Sequence, residues 1–224
     1  MKAMQEIEEL SVGGAVKIRG PVKFRRIDVS GSIRIDGNAE GNELHISGAG
    51  SIRGDLKTSN LRVSGSMRIE GNLKGEEMEI SGSINVSGIV EVGDIEISGA
   101  IKAKRILADN INISGRARVE EMEAREVHIH RKSKVIGAII GKRVIIDKDA
   151  EVEKIIGEEV RIGRGAEVEH VEGRHVVVER DAEIGVVKYV EKADISDRAE
   201  VDEVVKIEKL SRVPLSRKEK EEST

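Results

Sequence analysis

The residues best suited to chemistry in this 224-residue chain are His128 and His130, which stand two positions apart. Residues two apart on a β-strand face the same side, so both imidazoles would project outward beside the apolar Val127 and Ile129. Two imidazoles at that spacing are able to bind a metal ion such as Zn²⁺. The sequence nearby offers no third ligand, so we interpret the two histidines as a solvated surface pair and predict no metal site.

The other reactive side chains form no recognisable catalytic motif. His170 and His175 lie at a predicted corner and on the following strand, where we expect surface positions. Asp and Glu are frequent throughout the chain, so no single carboxylate pair indicates acid–base chemistry. The chain has no Cys, and it contains no phosphate-binding loop, nucleophile elbow or dinucleotide fingerprint. We therefore predict a protein that is not an enzyme and that needs no cofactor.

Three hexapeptides indicate one enzymatic alternative. They are IDKDAE at 146–151, IGRGAE at 162–167 and VERDAE at 178–183. Each resembles one hexapeptide of the left-handed β-helix acyltransferases, in which every coil is built from three such hexads. This chain shows one hexad per coil, a shorter period, and no protruding loop for a catalytic His. An acyltransferase-like enzyme is therefore kept as the less favoured alternative.

A repeat of 16 or 17 residues organises the chain and would position all of these side chains. In twelve successive units an Ile or Val stands immediately before a corner residue, at Val12, Val29, Ile46, Val63, Ile80, Ile97, Ile113, Ile129, Ile146, Ile162, Val178 and Ile195. The positions three residues before the corner and five residues after it are also apolar. Similarity at a fixed period indicates a repeat architecture.

The pattern within each unit predicts the fold. Apolar residues alternate with polar ones, as in LRVSGSMRIEG at 61–71, which is typical of strands with one face inward. Three short strands per unit, repeated in register, predict an all-β, three-sided parallel β-helix of about twelve coils. The Gly of each Ser-Gly corner is expected to adopt a positive φ. Corner geometry should change after about residue 115, where Gly leaves this position.

The domain organisation follows from where the repeat begins and ends. We predict an N-terminal cap over residues 1–9 and a single β-helix domain over 10–210. Residues 211–224, SRVPLSRKEKEEST, lose the pattern and are predicted to form a C-terminal cap and a charged disordered tail. No apolar run is long enough for a membrane span, and no leader sequence is recognised, so a cytoplasmic location is expected.

Charge is unevenly distributed over one outward column, four residues after each corner. The column is mainly basic in the earlier coils, at Lys17, Arg34, Arg68, Lys102, Arg118 and Lys134, and then acidic at Glu151, Glu167, Glu183 and Glu200. Stacked like charges repel, so counter-charges are expected. Lys148, Arg164 and Arg180 at the neighbouring corner would supply them within the chain, or the basic and acidic stretches would pair between molecules. The net charge of −4 does not favour nucleic acid as a partner.

Several stretches of the repeat resemble the bactofilins, a family of polymer-forming cytoskeletal proteins. They are GSIRIDGNAEG at 31–41, GSMRIEGNLKGEEMEISGSINVSG at 65–88 and SGAIKAKRILADNINISG at 98–115. The resemblance is clearest over about 27–130. It implies a right-handed β-helix without nucleotide that assembles end to end into non-polar filaments and scaffolds other proteins. The N-terminus lacks the apolar-basic segment that attaches many bactofilins to membranes, so membrane attachment is not expected.

The ends of a β-helix carry open strand edges that recruit another chain unless they are capped. Phe24 in the first coil, and Val213 and Leu215 after the last one, are the apolar residues nearest the ends. Each is a candidate for a cap or for an end-to-end interface. The sequence thus predicts a structural protein whose main partner is itself, with other cytoplasmic proteins as cargo. The alternative is a monomeric or dimeric β-helical binding module.

Overall fold

The structure, a computed structural model, describes residues 4–212 and is entirely β in that range. Parallel strands form a β-solenoid of about twelve turns, which confirms the predicted parallel β-helix. The right-handedness that the bactofilin resemblance implies stays a prediction. Contacts group the chain into two compact units, Met1–Ile106 and Leu107–Thr224, and each is described by itself below. The single domain over 10–210 stays a prediction.

The strands are short up to about residue 115 and much longer after it. In chain order they are β1 (Gln5–Val12), β2 (Ala15–Arg19), β3 (Val22–Val29), β4 (Ser32–Asp36), β5 (Ala39–Ile46), β6 (Ala49–Ile52), β7 (Leu56–Val63), β8 (Ser66–Ile69), β9 (Leu73–Ile80), β10 (Ser83–Val86), β11 (Ile89–Glu91), β12 (Asp94–Ile97), β13 (Ala100–Lys102), β14 (Arg105–Leu107), β15 (Asn110–Ile113), β16 (Arg116–Ile129), β17 (Lys134–Ile146), β18 (Glu151–Ile162), β19 (Glu167–Val178), β20 (Glu183–Ile195) and β21 (Glu200–Lys206). The later strands run through a corner that interrupts the earlier ones.

Parallel register converts the sequence repeat into columns of stacked side chains. In the first unit Val29 pairs with Ile46, and Ile46 pairs with Val63. In the second unit Ile129 pairs with Ile146, which in turn pairs with Ile162. These side chains are buried, and the same holds for the other inward apolar columns of the inner coils. Each unit therefore has a narrow aliphatic core, and the recurring phrase marks the place where each coil turns over that core.

The Ser-Gly corners need glycine because successive coils approach each other closely there. At five of the corner glycines after the first coil, an added Cβ would lie closer than 3.0 Å to the backbone of the preceding coil; they are Gly31, Gly48, Gly65, Gly82 and Gly99. None of these five residues has a positive φ. The expectation that they adopt the left-handed conformation is therefore wrong, and the requirement comes from the spacing between coils.

The corners of the second unit use a different backbone geometry. Lys132, Asp149, Gly165 and Asp181 all have φ between 58° and 65°, in the left-handed region. Asp and Gly are among the residues that tolerate this conformation best. The change from Ser-Gly corners to left-handed turns confirms the change in corner geometry that the loss of Gly after about residue 115 predicts.

The described ends of the chain differ from the predicted caps. Gln5–Val12 forms strand β1, which pairs with β3 and belongs to the first coil, so the cap over 1–9 is wrong for residues 5–9. At the other end, Ser211 and Arg212 contact the side of the second unit, as shown below. The predicted cap and tail over 213–224 lie outside the described residues.

Candidate functional site

Phe24 lies inside the first unit and is not presented at an end. Its side chain is only 4% exposed, and it occupies a position on β3 that pairs with Gly41 on β5. A Cβ on Gly41 would meet both the Phe24 ring and the Phe24 carbonyl oxygen. Gly41 thus leaves the room that the only Phe of the chain fills. A charged residue at position 24 would therefore disrupt the core, and Val213 and Leu215 lie outside the described residues.

We expect Gly41→Ala to destabilise the protein by about 2 kcal/mol, because its methyl group overpacks the space that Phe24 fills. The matched control is Gly50→Ala, whose methyl group would first meet the end of the flexible Ile46 side chain at 3.3 Å. Urea unfolding followed by circular dichroism measures both variants. Equal loss of stability in the two variants would show that overpacking against Phe24 is not what destabilises Gly41→Ala.

The first coil has an open strand edge. Strand β1 pairs with β3, and β2 pairs with β4, so each is bonded on the side of the second coil. Within residues 4–212, no strand pairs with the other edge of β1 or β2. Gly13 and Gly14 form the corner between these strands, and a Cβ on either would meet no atom within 4 Å. The first coil therefore presents unpaired backbone groups and a corner that another backbone is able to approach.

The last described coil leaves its apolar side chains partly uncovered. Val187 on β20 is fully buried, whereas Val204, which follows it in the same column on β21, is 49% exposed. Val201, Val205 and Ile207 are also only half-buried. In the inner coils of this unit, the columns that lead to Val201 and Val204 are buried. Within residues 4–212, only β20 pairs with β21, so the end of the aliphatic core is exposed beside a strand edge that no described strand covers, a combination that favours association.

Ser211 and Arg212 leave that end of the core open, because they bind the side of the second unit. The Ser211 hydroxyl lies 2.8 Å from a Glu172 carboxylate oxygen, and its backbone N–H donates to the other oxygen. Arg212 pairs with Glu121 and lies 3.7 Å from the buried carboxylate of Glu123. These three glutamates belong to coils that precede the final one. The predicted cap is therefore wrong for residues 211 and 212.

An acidic ladder runs along the outer face of the second unit. Register places Glu151, Glu167, Glu183 and Glu200 in one column, directly after Lys134. Lys134 forms an ion pair with Glu151, whereas the other three glutamates have no ion-pair partner among the described residues. Together with neighbouring acidic side chains they line a groove of about 820 Å³. The groove is therefore a strongly negative surface.

The counter-charges expected at the neighbouring corner do not contact this ladder. Arg180 lies 4.0 Å from Asp181, its neighbour in sequence. In the part of the chain that the structure describes, neither Lys148 nor Arg164 forms an ion pair with a ladder glutamate. The interpretation in which these three cations neutralise the column is therefore wrong.

Basic residues of the equivalent column in the first unit are paired within the chain. Lys17 Nζ lies 2.9 Å from Asp36 Oδ2, and Arg34 Nε lies 3.0 Å from Asp36 Oδ1. Hydrogen bonds from Lys17 and then Arg34 lower the pKa of Asp36 from 3.8 to about 2. Part of the basic column is thus already neutralised by an acidic neighbour.

The lowered pKa of Asp36 predicts a loss of stability in acid. A carboxylate whose pKa is lower in the folded state stabilises that state above its ordinary pKa of 3.8, and this contribution disappears as the pH falls toward about 2. Urea midpoints measured between pH 5 and 2 should fall less steeply for Asp36→Asn than for the unaltered protein. If the urea midpoints of the two proteins fell equally steeply with pH, the Lys17–Asp36–Arg34 cluster would make no measurable contribution to stability.

A third polar side chain joins the two histidines on the outer face of the second unit. His128 Nε2 lies 3.1 Å from Asp147 Oδ1, and His130 Nδ1 lies 3.4 Å from Asp147 Oδ2. The two imidazole rings are 4.0 Å apart between centroids. All three side chains are half-buried, and one potential ligand atom from each lies within 4.8 Å of the others. This arrangement of two imidazoles and one carboxylate is a candidate cation site.

Sequence reasoning missed Asp147 because it searched the neighbourhood of the histidines along the chain. Ile129 pairs with Ile146, so the residue after each, His130 and Asp147, lies at the same corner of successive coils. Reading the sequence at the 17-residue period of the repeat would have brought Asp147 beside His130. The histidines are therefore not the isolated surface pair that the sequence predicts.

Comparison with known proteins identifies no relative of this chain. It matches no protein-family model, no curated protein and no solved structure. Among residues 4–212, no helix is long and apolar enough to cross a membrane.

Proposed function

We propose that this chain is a structural protein that assembles with copies of itself through the terminal coils of its β-solenoid. The observation that carries the proposal is the end of the aliphatic core at β21, where Val204 is 49% exposed beside a strand edge that no strand within residues 4–212 covers. Burying apolar side chains and pairing open backbone groups both favour association. The product would be a filament or scaffold of the kind that bactofilins form, in the cytoplasm and without an enzymatic activity.

The first coil supports the same proposal from the other end of the chain. At the Ser-Gly corners of the first unit, Gly31, Gly48, Gly65, Gly82 and Gly99 are required because the preceding coil lies close by. No coil precedes the Gly13–Gly14 corner among residues 4–212, yet this corner keeps glycine where the described fold leaves space for a larger residue. A second molecule that pairs with the open edge of β1 and β2 would bring its own backbone to this corner. Glycine there therefore serves the assembled state.

Sedimentation velocity of the purified full chain tests the proposal. We expect species larger than the monomer whose proportion rises with protein concentration. They should persist at high salt, because apolar burial and backbone hydrogen bonds are screened less than exposed ion pairs. A single monomeric species over a hundredfold range of concentration would contradict self-assembly.

The acidic ladder favours a second candidate function, a binding module for a cationic partner. Its groove carries uncompensated carboxylates at Glu167, Glu183 and Glu200, and such a surface attracts positively charged proteins at low ionic strength. This function would be lost in Glu167→Gln/Glu183→Gln, and binding would fall steeply with salt. Self-assembly through the terminal coils would be unchanged in the same variant, so the two functions are separable.

A further inference from the structure

We propose that His128, His130 and Asp147 form a binding site for a divalent transition-metal ion, with Zn²⁺ as the best match. The site lies on the outer face of the second unit and links two successive coils. It is independent of the assembly proposed above, because it uses neither the first coil nor β21. The proposal is argued below from distances, burial and the chemistry of the three ligands.

The distances between the side-chain atoms match a tetrahedral zinc site. Zn–N and Zn–O bonds of about 2.0–2.1 Å at tetrahedral angles place two ligand atoms roughly 3.3–3.4 Å apart. His128 Nε2 and Asp147 Oδ1 are 3.1 Å apart, and His130 Nδ1 and Asp147 Oδ2 are 3.4 Å apart. The two distances involve different oxygens of Asp147, and one ligand atom from each of the three side chains lies within 4.8 Å of the others, so side-chain rotation would direct three ligand atoms at one ion. A water molecule would fill the fourth position, since the three side chains are half-exposed.

The burial of one ring nitrogen points to a ligand that the protein itself does not supply. His128 Nε2 has almost no solvent-accessible surface, and it makes no hydrogen bond despite lying 3.1 Å from Asp147. The separation satisfies an ion-pair distance, but a hydrogen bond also requires suitable orientation of donor and acceptor, and none is formed here. A buried polar atom without a partner is costly. Coordination to a metal would satisfy it.

The backbone positions the three ligands rigidly. His128 and His130 lie two apart at the end of β16 and therefore project to the same face. Asp147 follows β17, and the parallel pairing of Ile129 with Ile146 fixes it one coil away from His130. Ligands held by neighbouring strands lose little conformational freedom on binding. The site is thus largely formed before the ion arrives.

The ligand set selects the class of ion. Two imidazoles with one carboxylate suit borderline ions such as Zn²⁺, Co²⁺ and Ni²⁺, whereas Ca²⁺ and Mg²⁺ prefer oxygen ligands throughout. His45 provides an internal comparison, because its Nδ1 lies 3.0 Å from Asp28 without a second imidazole nearby. Hydrogen bonding from Arg26 lowers the pKa of Asp28, so that carboxylate already has a cationic partner within the chain. His45→Ala is therefore the matched control.

Isothermal titration of the metal-stripped full chain with ZnCl₂ tests the site. We expect one Zn²⁺ per chain, and a loss of affinity of more than about tenfold in His128→Ala and in Asp147→Asn, with His45→Ala unchanged. Co²⁺ should give the visible absorption bands of a four-coordinate ion in the unaltered protein and in His45→Ala, but not in the two site variants. Unaltered Zn²⁺ affinity in both site variants, or Ca²⁺ binding as tight as Zn²⁺ binding, would overturn the proposal.

Thermal unfolding keeps the test independent of any folding defect. The circular dichroism spectra of His128→Ala and Asp147→Asn without metal should equal that of the unaltered chain, because the three side chains lie on the outer face. Saturating Zn²⁺ should raise the Tm of the unaltered chain and of His45→Ala, since a ligand that binds only the folded state stabilises it. An equal rise in Tm for His128→Ala would contradict the site.

Discussion

Gly65→Ala should destabilise the protein by about 3 kcal/mol. The new methyl group would lie closer than 3.0 Å to backbone atoms of Ser47 and Gly48 in the preceding coil, and backbone atoms have no rotamer with which to move away. Relief requires the coils to separate at this corner. That separation would weaken three backbone hydrogen bonds of 2.9–3.0 Å, which Ser64, Gly65 and Ser66 donate to the preceding coil.

The matched control is Gly14→Ala, at the same corner position of the first coil. A Cβ on Gly14 meets no atom within 4 Å, and its φ is not in the left-handed region. Its free energy of unfolding should therefore change by less than about 0.5 kcal/mol. Urea unfolding followed by circular dichroism, at concentrations too low for assembly, compares the two variants. Similar losses of unfolding free energy in both variants would show that glycine is needed at the corner for a reason other than the close approach of the preceding coil.

Val204→Asp should raise the protein concentration needed for assembly by at least tenfold while leaving the monomer folded. The side chain is 49% exposed in the monomer, so a carboxylate there remains solvated. In an assembly that covers β21, the same carboxylate would be buried without a partner, which is strongly unfavourable. Sedimentation velocity over a range of concentrations measures the effect.

Val177→Asp controls for the general effect of a new charge on an exposed apolar position. Val177 is 40% exposed, but it lies on β19, whose two edges are paired with β18 and β20. Assembly through the terminal coils should therefore be unaffected by this variant. Equal impairment by Val177→Asp and Val204→Asp would indicate association through the lateral faces and contradict the role proposed for β21.

The core of this fold was predictable because it depends on a local, repeated rule. Alternation of apolar and polar residues defines each strand's inner face, and the 16- or 17-residue period predicts which residues stack. Val29, Ile46 and Val63 illustrate this, since the structure pairs them in the predicted order. The expected reason for the corner glycines was wrong, because the distance between successive coils is a property of the stack and cannot be read from one coil.

The surface was harder to predict because its chemistry joins residues from different coils. Asp147 approaches His128 and His130 only through the register of two strands. The ladder glutamates remain without the expected cations, since side-chain direction at a corner is decided by local backbone geometry. Phe24 was expected near an end, yet the space left by Gly41 in the next coil buries it. In each case the deciding contact lies one coil away.

Negative-stain electron microscopy of the purified full chain tests the central claim most directly. The account predicts elongated particles of variable length in the unaltered protein. It also predicts only short particles of uniform size for Val204→Asp at the same concentration. Uniform single particles for the unaltered protein, at concentrations up to the limit of its solubility, would contradict assembly through the terminal coils.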